Sequence, residues 1–322
     1  MISLIANYLD NRQQCVYSKK HDVRSPIVNC DVGVPQGTLL GPTLWLAFVD
    51  SLQFATGSTI KYADDTTSYF PLTKSDNMIS ATTAATMSFD PPSTGQTLID
   101  ECSRWSNDNR MTLNTAKTKV MNISLRKTLS MTSNYSIDGS HDVEVVENSK
   151  LLGVHLDSHL SFNHHIKSVK QTANRKCHGL LVLKKAGVNS DSLLIMYRSR
   201  ILPSITHSAP AWYPYTTIYQ RDILESIQRL ALRIMLPEYE DYNERLLVTN
   251  MRTLCDELDN ICSEYVTKVL EHSNHQLHHR IPKRRGERYS RRLSSSDIYI
   301  KKSRTVKCNK SILKNAKYFQ VS

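Results

Sequence analysis

Two neighbouring aspartates, Asp64 and Asp65, are the residues of this chain whose type and spacing point most directly to chemistry. β-Branched and aromatic residues flank them at 60–62 and 66–70, a pattern typical of a strand, a tight turn and a second strand. Adjacent carboxylates repel each other, and a divalent cation relieves that repulsion. The pattern predicts a hairpin whose tip binds a metal. An acidic turn without a metal is the alternative, since Asp is common in turns.

Successive strand residues point to opposite faces of a sheet. We therefore expect Asp64 to face the site and Asp65 to serve as a second ligand or as structural support. Oxygen ligands of this kind suit Mg²⁺.

A loop rich in glycine and proline, residues 33–42, precedes the hairpin. Its glycines permit positive φ and close backbone approach, and Pro35 restricts the local geometry. Such a loop can lie against a nucleic-acid strand. The alternative is a plain loop before a helix, with Pro42 near the first helical turn. The residues that form an apolar stripe on the following helix, and so predict a core contact, are Leu44, Phe48, Val49 and Leu52.

Taken together, this loop and the sequence Tyr62-Ala63-Asp64-Asp65 resemble the reverse transcriptases of non-LTR retrotransposons, in particular the jockey-like LINE class. The resemblance covers residues 1–236 and is strongest over residues 33–70. It implies template-directed phosphoryl transfer with two Mg²⁺ ions held in part by Asp64 and Asp65. The implied partners are an RNA template, a DNA primer and deoxynucleoside triphosphates.

The resemblance also implies roles for other residues. Those expected to touch the template or the incoming nucleotide are Gly33, Pro35, Gln36, Gly37 and Tyr62. Residues 111–121 are similar to a Leu-Asn…Lys-Thr motif, so Lys117 would approach the triphosphate and neutralise or protonate the leaving pyrophosphate. Residues 150–157 resemble the strand pair that grips the primer end, with Leu152 and Gly153 in that grip. A glycine in an edge strand is the alternative for Gly153.

The fold expected from these patterns is α+β, an incomplete polymerase palm (an antiparallel sheet with helices) followed by a helical thumb. The expected domains are a partial palm at 1–160, a thumb-like bundle at 161–237, a helical extension at 238–275 and a basic tail at 276–322. Asp138-Gly139 predicts a hairpin turn. Apolar spacing predicts one further helix from Leu246 to Leu270.

Part of the resembled catalytic centre has no counterpart here. Nothing before Gly33 resembles the strand that carries the family's first catalytic aspartate. Asp10 and Asp31 lie in different sequence contexts from that aspartate. We also expect this chain to lack the family's fingers and endonuclease domain. We therefore expect a polymerase portion that is inactive as this chain. The alternative is a non-catalytic remnant that binds nucleic acid through its basic tail.

The net charge of +11 and the pI of 9.3 indicate an anionic partner. The excess is concentrated in residues 276–322, with 14 Lys or Arg and 2 Asp or Glu, while the other 275 residues hold 27 basic and 28 acidic residues. This tail could be simply solvated, bind phosphate or act as a nuclear import signal. Tyrosines lie among its basic residues, which suits single-stranded nucleic acid.

Seven scattered cysteines argue for a reducing compartment and against a disulfide framework. Cys255 and Cys262 precede several histidines, but their spacing fits zinc sites poorly, which favours cysteines in a helical core. No apolar run approaches the ~18 residues of a membrane span. The expected location is intracellular, with the nucleus favoured.

Overall fold

The computed structural model describes residues 2–30, 32–55, 58–70, 94–124 and 134–278. Its mixture of helices and small, mostly antiparallel sheets confirms the α+β class. The chain divides into two compact units, one within residues 1–120 and 130–145, the other within 121–129 and 146–322. The domain limits at 160, 237 and 275 stay predictions. Nearly all of the predicted basic tail lies outside the described residues.

The first unit combines short strands with three described helices. Its helices are α1 (Ile2–Leu9), α2 (Gly41–Asp50) and α3 (Thr94–Asp108). Its strands are β1 (Gln13–Gln14), β2 (Tyr17–Ser18), β3 (Val23–Arg24), β4 (Val28–Asn29), β5 (Ser58–Tyr62), β6 (Asp65–Tyr69), β7 (Lys119–Val120), β8 (Tyr135–Ile137) and β9 (His141–Val145).

The described strands of this unit form four separate small sheets, and the antiparallel palm sheet stays a prediction. The pairs β1–β4, β2–β3 and β5–β6 are separate antiparallel ladders. Strands β7, β9 and β8 form a three-stranded sheet in which β7 runs parallel to β9. Most of these strands are only two residues long, so each forms only a short ladder of backbone hydrogen bonds.

Helices α2 and α3 supply the apolar contacts of this unit. Val49 and Leu52 are buried, and Leu44 and Phe48 of the predicted stripe are half-buried. The Phe48 ring packs 5.4 Å from that of Trp105 in α3. The stripe therefore forms a small core, as the apolar spacing predicted.

The predicted turn at Asp138-Gly139 is present between β8 and β9. Both residues have positive φ, 52° and 65°, the backbone that a two-residue hairpin requires. Ser103 of α3 donates a hydrogen bond to the Asp138 carboxylate. Three strand residues, Tyr135, Ile137 and Val143, form a second small buried cluster.

The second unit is a two-stranded hairpin followed by helices. Its strands are β10 (Asn148–Leu151) and β11 (Val154–Asp157). Its helices are α4 (Asn163–Lys185), α5 (Ser190–Met196), α6 (Leu202–Thr206), α7 (Ala209–Trp212), α8 (Ile218–Met235), α9 (Tyr242–Thr249) and α10 (Leu254–Glu271), with a π-helical turn at Tyr197–Ile201 and a 3₁₀ turn at Tyr213–Tyr215. None of the described helices is long and apolar enough to cross a membrane.

One apolar core runs through this unit from Val154 to Val266. Several buried polar groups inside it are paired: Gln228 accepts from the Tyr197 hydroxyl at 2.9 Å and donates to the Arg252 carbonyl at 2.7 Å. Glu225 accepts from the backbone N–H of Leu254 at the start of α10. Such pairing removes most of the cost of burying polar atoms.

The prediction of one helix from Leu246 to Leu270 is wrong. The structure has two helices, α9 and α10, separated at Asn250, which adopts a left-handed φ of 48°. The Thr253 side chain then caps α10 by accepting from the Asp256 N–H. Asn tolerates the left-handed backbone and Thr is a favoured cap, so this short stretch both ends one helix and starts the next.

Candidate active site

The predicted hairpin is present, and it places Asp64 in the turn. The ladder between β5 and β6 runs from Ser58↔Tyr69 to Tyr62↔Asp65, leaving Ala63 and Asp64 as a two-residue turn. Asp65 is the first residue of β6 and lies across from Tyr62. Both carboxylates are exposed, and neither has a hydrogen bond or ion pair to another described residue.

The turn is held by a side chain from the preceding helix. Trp45 of α2 donates its indole N–H to the Ala63 carbonyl at 2.9 Å. Ala63 has a φ of 55°, a left-handed conformation that costs a residue with a Cβ about 1–2 kcal/mol. The Trp45 bond therefore stabilises a strained turn next to Asp64.

A second side chain attaches the hairpin to the other end of α2. The Lys61 ammonium donates to the carbonyls of Val49 at 2.8 Å and Asp50 at 3.3 Å. Carbonyls at the C-terminus of a helix lack intrahelical partners and carry partial negative charge, so a cation there is favourable. Through these two side chains, the part of the hairpin nearest the turn is attached to α2 at two points.

The glycine-proline loop leads into the N-terminus of the same helix. Gly33 and Gly37 have positive φ values of 82° and 74°, as the predicted loop requires. A Cβ on Gly41 would lie 2.6 Å from the Pro35 carbonyl oxygen, so the loop folds closely onto the start of α2. Gln36 is exposed.

Arg12 supports the loop from the other side. Its guanidinium donates to the Gly33 carbonyl at 2.5 Å and to the Leu9 carbonyl at 3.0 Å. The sequence reasoning did not identify Arg12, Trp45 or Lys61 as positioning residues. Of these three residues, only Trp45 offered a signal in the sequence, because it lies within a helix that was predicted from its apolar stripe.

Lys117 lies on the turn before β7. Its backbone N–H donates to Asn114, and its side chain is exposed. No hydrogen bond or ion pair links it to Asp64 or Asp65 within the described ranges. The structure thus connects the glycine-proline loop with the acidic hairpin through α2, while the role of Lys117 stays a prediction.

The donor set at the hairpin tip suits Mg²⁺, because both groups are carboxylates. Across the described residues, no group of three or more His, Cys, Asp or Glu side chains is placed to hold a metal ion. Among these residues, no third such side chain joins Asp64 and Asp65. Cys255 and Cys262 likewise share no metal site with described histidines, and burial raises the pKa of the Cys255 thiol to about 11.

In the second unit, Leu152 and Gly153 form the turn between β10 and β11. Their φ values are 46° and 89°. The His207 ring nitrogen Nε2 lies 3.0 Å from the Leu152 carbonyl oxygen, and a Cβ on Gly153 would lie 2.8 Å from that same nitrogen. Gly153 is therefore required for both its backbone angle and the close approach of His207.

Histidines gather beneath this turn. His165 is 3% exposed, and its Nδ1 accepts from the His155 N–H at 3.3 Å, while its Nε2 is buried without a hydrogen-bond partner among the described residues. Its ring packs 4.9 Å from that of Trp212. Burial, and secondarily the charges of His155, His207 and His164, lower the pKa of His165 to about 4. His165 is therefore neutral near pH 7.

Two curated relatives match this chain. The RNA-directed DNA polymerase from mobile element jockey of Drosophila melanogaster is 24% identical over 264 residues, which cover 78% of this chain and 27% of that protein. The polymerase of the same name from Drosophila funebris is 26% identical over 220 residues, covering 65% of this chain and 22% of that protein. The chain spans about a quarter of the length of these relatives.

No protein-family model matches the chain, and no solved structure matches it. The names of the two relatives agree with the family resemblance that the glycine-proline loop and the Tyr-Ala-Asp-Asp hairpin indicated. Helix α2 joins these two motifs in space. The chain is identified as a jockey-like relative of the reverse transcriptases of non-LTR retrotransposons.

Proposed function

We propose that this chain carries the acidic hairpin and a thumb-like helical unit of an RNA-directed DNA polymerase, acting on an RNA template, a DNA primer and deoxynucleoside triphosphates. The observation that carries the proposal is the Trp45 bond to Ala63, which holds Asp64 at the hairpin tip from the helix that follows the glycine-proline loop. Helix α2 therefore supports both the glycine-proline loop and the acidic hairpin.

In this proposal Asp64 and Asp65 hold Mg²⁺ at the primer's 3′ end. When bound, the metal would lower the pKa of the 3′-hydroxyl and neutralise the triphosphate. The chain's own part is to place two carboxylates at a turn whose backbone is restrained by Trp45 and Lys61. We expect these 322 residues alone not to extend a primer, because no third carboxylate joins Asp64 and Asp65 among the described residues.

Photocrosslinking tests the proposal without requiring turnover. A primer ending in 3′ 4-thiothymidine, annealed to an RNA template with Mg²⁺ present, should crosslink to a peptide within residues 58–70. Asp64→Asn should remove the Mg²⁺ dependence of the crosslink. Asp50→Asn is the matched control, because Asp50 is also exposed but lies at the end of α2. Crosslinks confined to other segments would refute the placement of the primer end.

Primer extension is the second measurement. Extension by the 322-residue chain that disappears in Asp64→Asn would support the polymerase assignment and overturn the expectation that a further carboxylate is needed. Extension that persists in Asp64→Asn would contradict the role of the hairpin.

A further inference from the structure

The chain reverses direction after α10. This helix ends at Glu271, and two turns follow it: His275 donates its backbone N–H to the His272 carbonyl at 2.9 Å, and His278 donates to the His275 carbonyl at 2.8 Å. The His275 ring packs edge-on against that of Tyr265, with the ring centroids 6.0 Å apart. Tyr265 lies six residues before the helix end, ~9 Å back along the axis at 1.5 Å per residue. The chain therefore turns back alongside α10 instead of continuing past its end.

Tyr265 belongs to one stripe along α10. Glu257, Ile261, Glu264 and Tyr265 are spaced at i, i+4, i+7 and i+8, so they share one side of the helix. Ile261 and Tyr265 are half-buried against the core of the unit. Glu257 is also half-buried, and Glu264 is exposed. We call these four residues the α10 stripe.

The two acids of the α10 stripe lack a cationic partner within the described ranges. Neither ion pair found there includes Glu257 or Glu264. Glu264 accepts a hydrogen bond from the neutral Asn260 amide at 2.8 Å. The surrounding sequence is acidic as well, because residues 222–278 hold eleven Asp or Glu and five Lys or Arg. A cationic segment brought to the α10 stripe is therefore attracted to it.

A cationic segment follows the reversal directly in the sequence. Residues 280–292 hold seven Lys or Arg and one acid. They lie outside the described part of the chain, so their charge is read from the sequence. Lys283 follows His278 by five residues, which span at most ~17 Å. The α10 stripe is only ~12 Å long from Tyr265 to Glu257, so the first cations are within reach of both of its acids.

We infer that the α10 stripe docks the chain's own basic segment, residues 280–292, through ion pairs to Glu257 and Glu264. An exposed ion pair by itself contributes little. Here the segment is tethered a few residues after the contact of His275 with Tyr265, which gives it an effective concentration on the order of millimolar. A polyanion must then displace the segment from α10 before it can reach those cations. The inference does not depend on the polymerase assignment.

Zero-length carbodiimide crosslinking of the full chain tests the contact, because it joins an amine to a carboxylate only when the two touch. Lys283 is the one lysine within residues 280–292. It should couple to Glu257 or Glu264 at ~0.05 M salt, and coupling should fall at ~0.5 M salt, where screening weakens exposed ion pairs. Glu238 and Glu240, which are exposed acids of the same unit, serve as internal controls and should couple much less.

The same experiment separates docking within one chain from docking between copies. In an equal mixture of ¹⁵N-labelled and unlabelled chains, the crosslinked peptides should carry one isotope only. Peptides of mixed isotope would overturn the inference in favour of contact between copies. It would also be overturned if Lys283 coupled to Glu238 and Glu240 as often as to the α10 stripe, or to none of these acids.

Binding of a fluorescent heparin oligosaccharide measures whether docking restrains the segment. The variant Glu257→Gln, Glu264→Gln should bind it about threefold or more tightly than the control Glu238→Gln, Glu240→Gln, because two exposed ion pairs are worth about that factor. Both variants change the net charge equally. Equal affinities would contradict the inference, since the oligosaccharide would then respond to net charge alone.

A double-mutant cycle distinguishes release of the segment from a direct effect of the acids on heparin. In the background Lys283→Gln, Arg284→Gln, Arg285→Gln, the further change Glu257→Gln, Glu264→Gln should gain little affinity, because few cations remain to be released. A gain as large as in the unaltered background would show that the acids act by repelling heparin and not by holding the segment.

Discussion

Replacing Trp45 by Phe removes one hydrogen-bond donor from the hairpin turn while keeping an aromatic ring on α2. The indole N–H lies 2.9 Å from the Ala63 carbonyl oxygen. Because the turn is exposed, water can replace the lost donor, and the net cost is about 1 kcal/mol. The turn should therefore open about fivefold more often, since 1 kcal/mol changes an equilibrium by about that factor.

Ala63 makes this turn open more readily than a relaxed turn would. Its φ of 55° already costs about 1–2 kcal/mol, and an isolated two-stranded hairpin is only marginally stable. Ala63→Gly removes that strain and should stabilise the turn by about 0.4–1 kcal/mol. The double variant Trp45→Phe, Ala63→Gly should accordingly return close to the opening frequency of the unaltered chain.

Native-state amide exchange of residues 58–70 measures this opening. The matched control is Trp105→Phe, which loses an equivalent indole bond, 3.1 Å to the Ser51 hydroxyl, away from the turn. It should leave exchange within the hairpin unchanged. If Trp45→Phe and Trp105→Phe accelerate exchange equally, or if neither does, Trp45 does not restrain the position of Asp64.

Two other changes test the second unit. His165 has a folded-state pKa of about 4 against an ordinary value of 6.5, so the unfolded chain takes up the proton first and stability falls as pH drops from 6.5 towards 4. Urea midpoints should decline less over that range in His165→Gln, whereas exposed His178→Gln should follow the unaltered chain. Gly153→Ala should lower the free energy of unfolding by about 2 kcal/mol through its left-handed backbone and through contact with His207. Gly179→Ala, in open space on α4, should instead be neutral or stabilising, and equal losses for the two glycines would contradict this account.

Local features of the fold were predictable because their causes lie within a few residues. The hairpin around Asp64 follows from strand-forming residues on either side of a polar pair, and the Asp138-Gly139 turn follows from two residues that tolerate positive φ. The apolar spacing of α2 likewise marked its buried side.

The break at Asn250 was missed although its signals were also local. The apolar pattern continues across Asn250. That pattern outweighed the two local signals, which are Asn250 as the end of one helix and Thr253 as the cap of the next. The two-residue strands were equally hard to place, because a ladder of that length has no periodicity to detect.

By itself the sequence determined the family motifs, the two carboxylates and the strands of the acidic hairpin, since residue type and short-range periodicity carry that information. Only the tertiary structure decided that Trp45 and Lys61 attach the acidic hairpin to one helix, and that His207 closes on Gly153. The physical reason is that each of these contacts joins residues that are far apart in the chain. A single sequence carries no pattern that shows which distant side chains meet after packing.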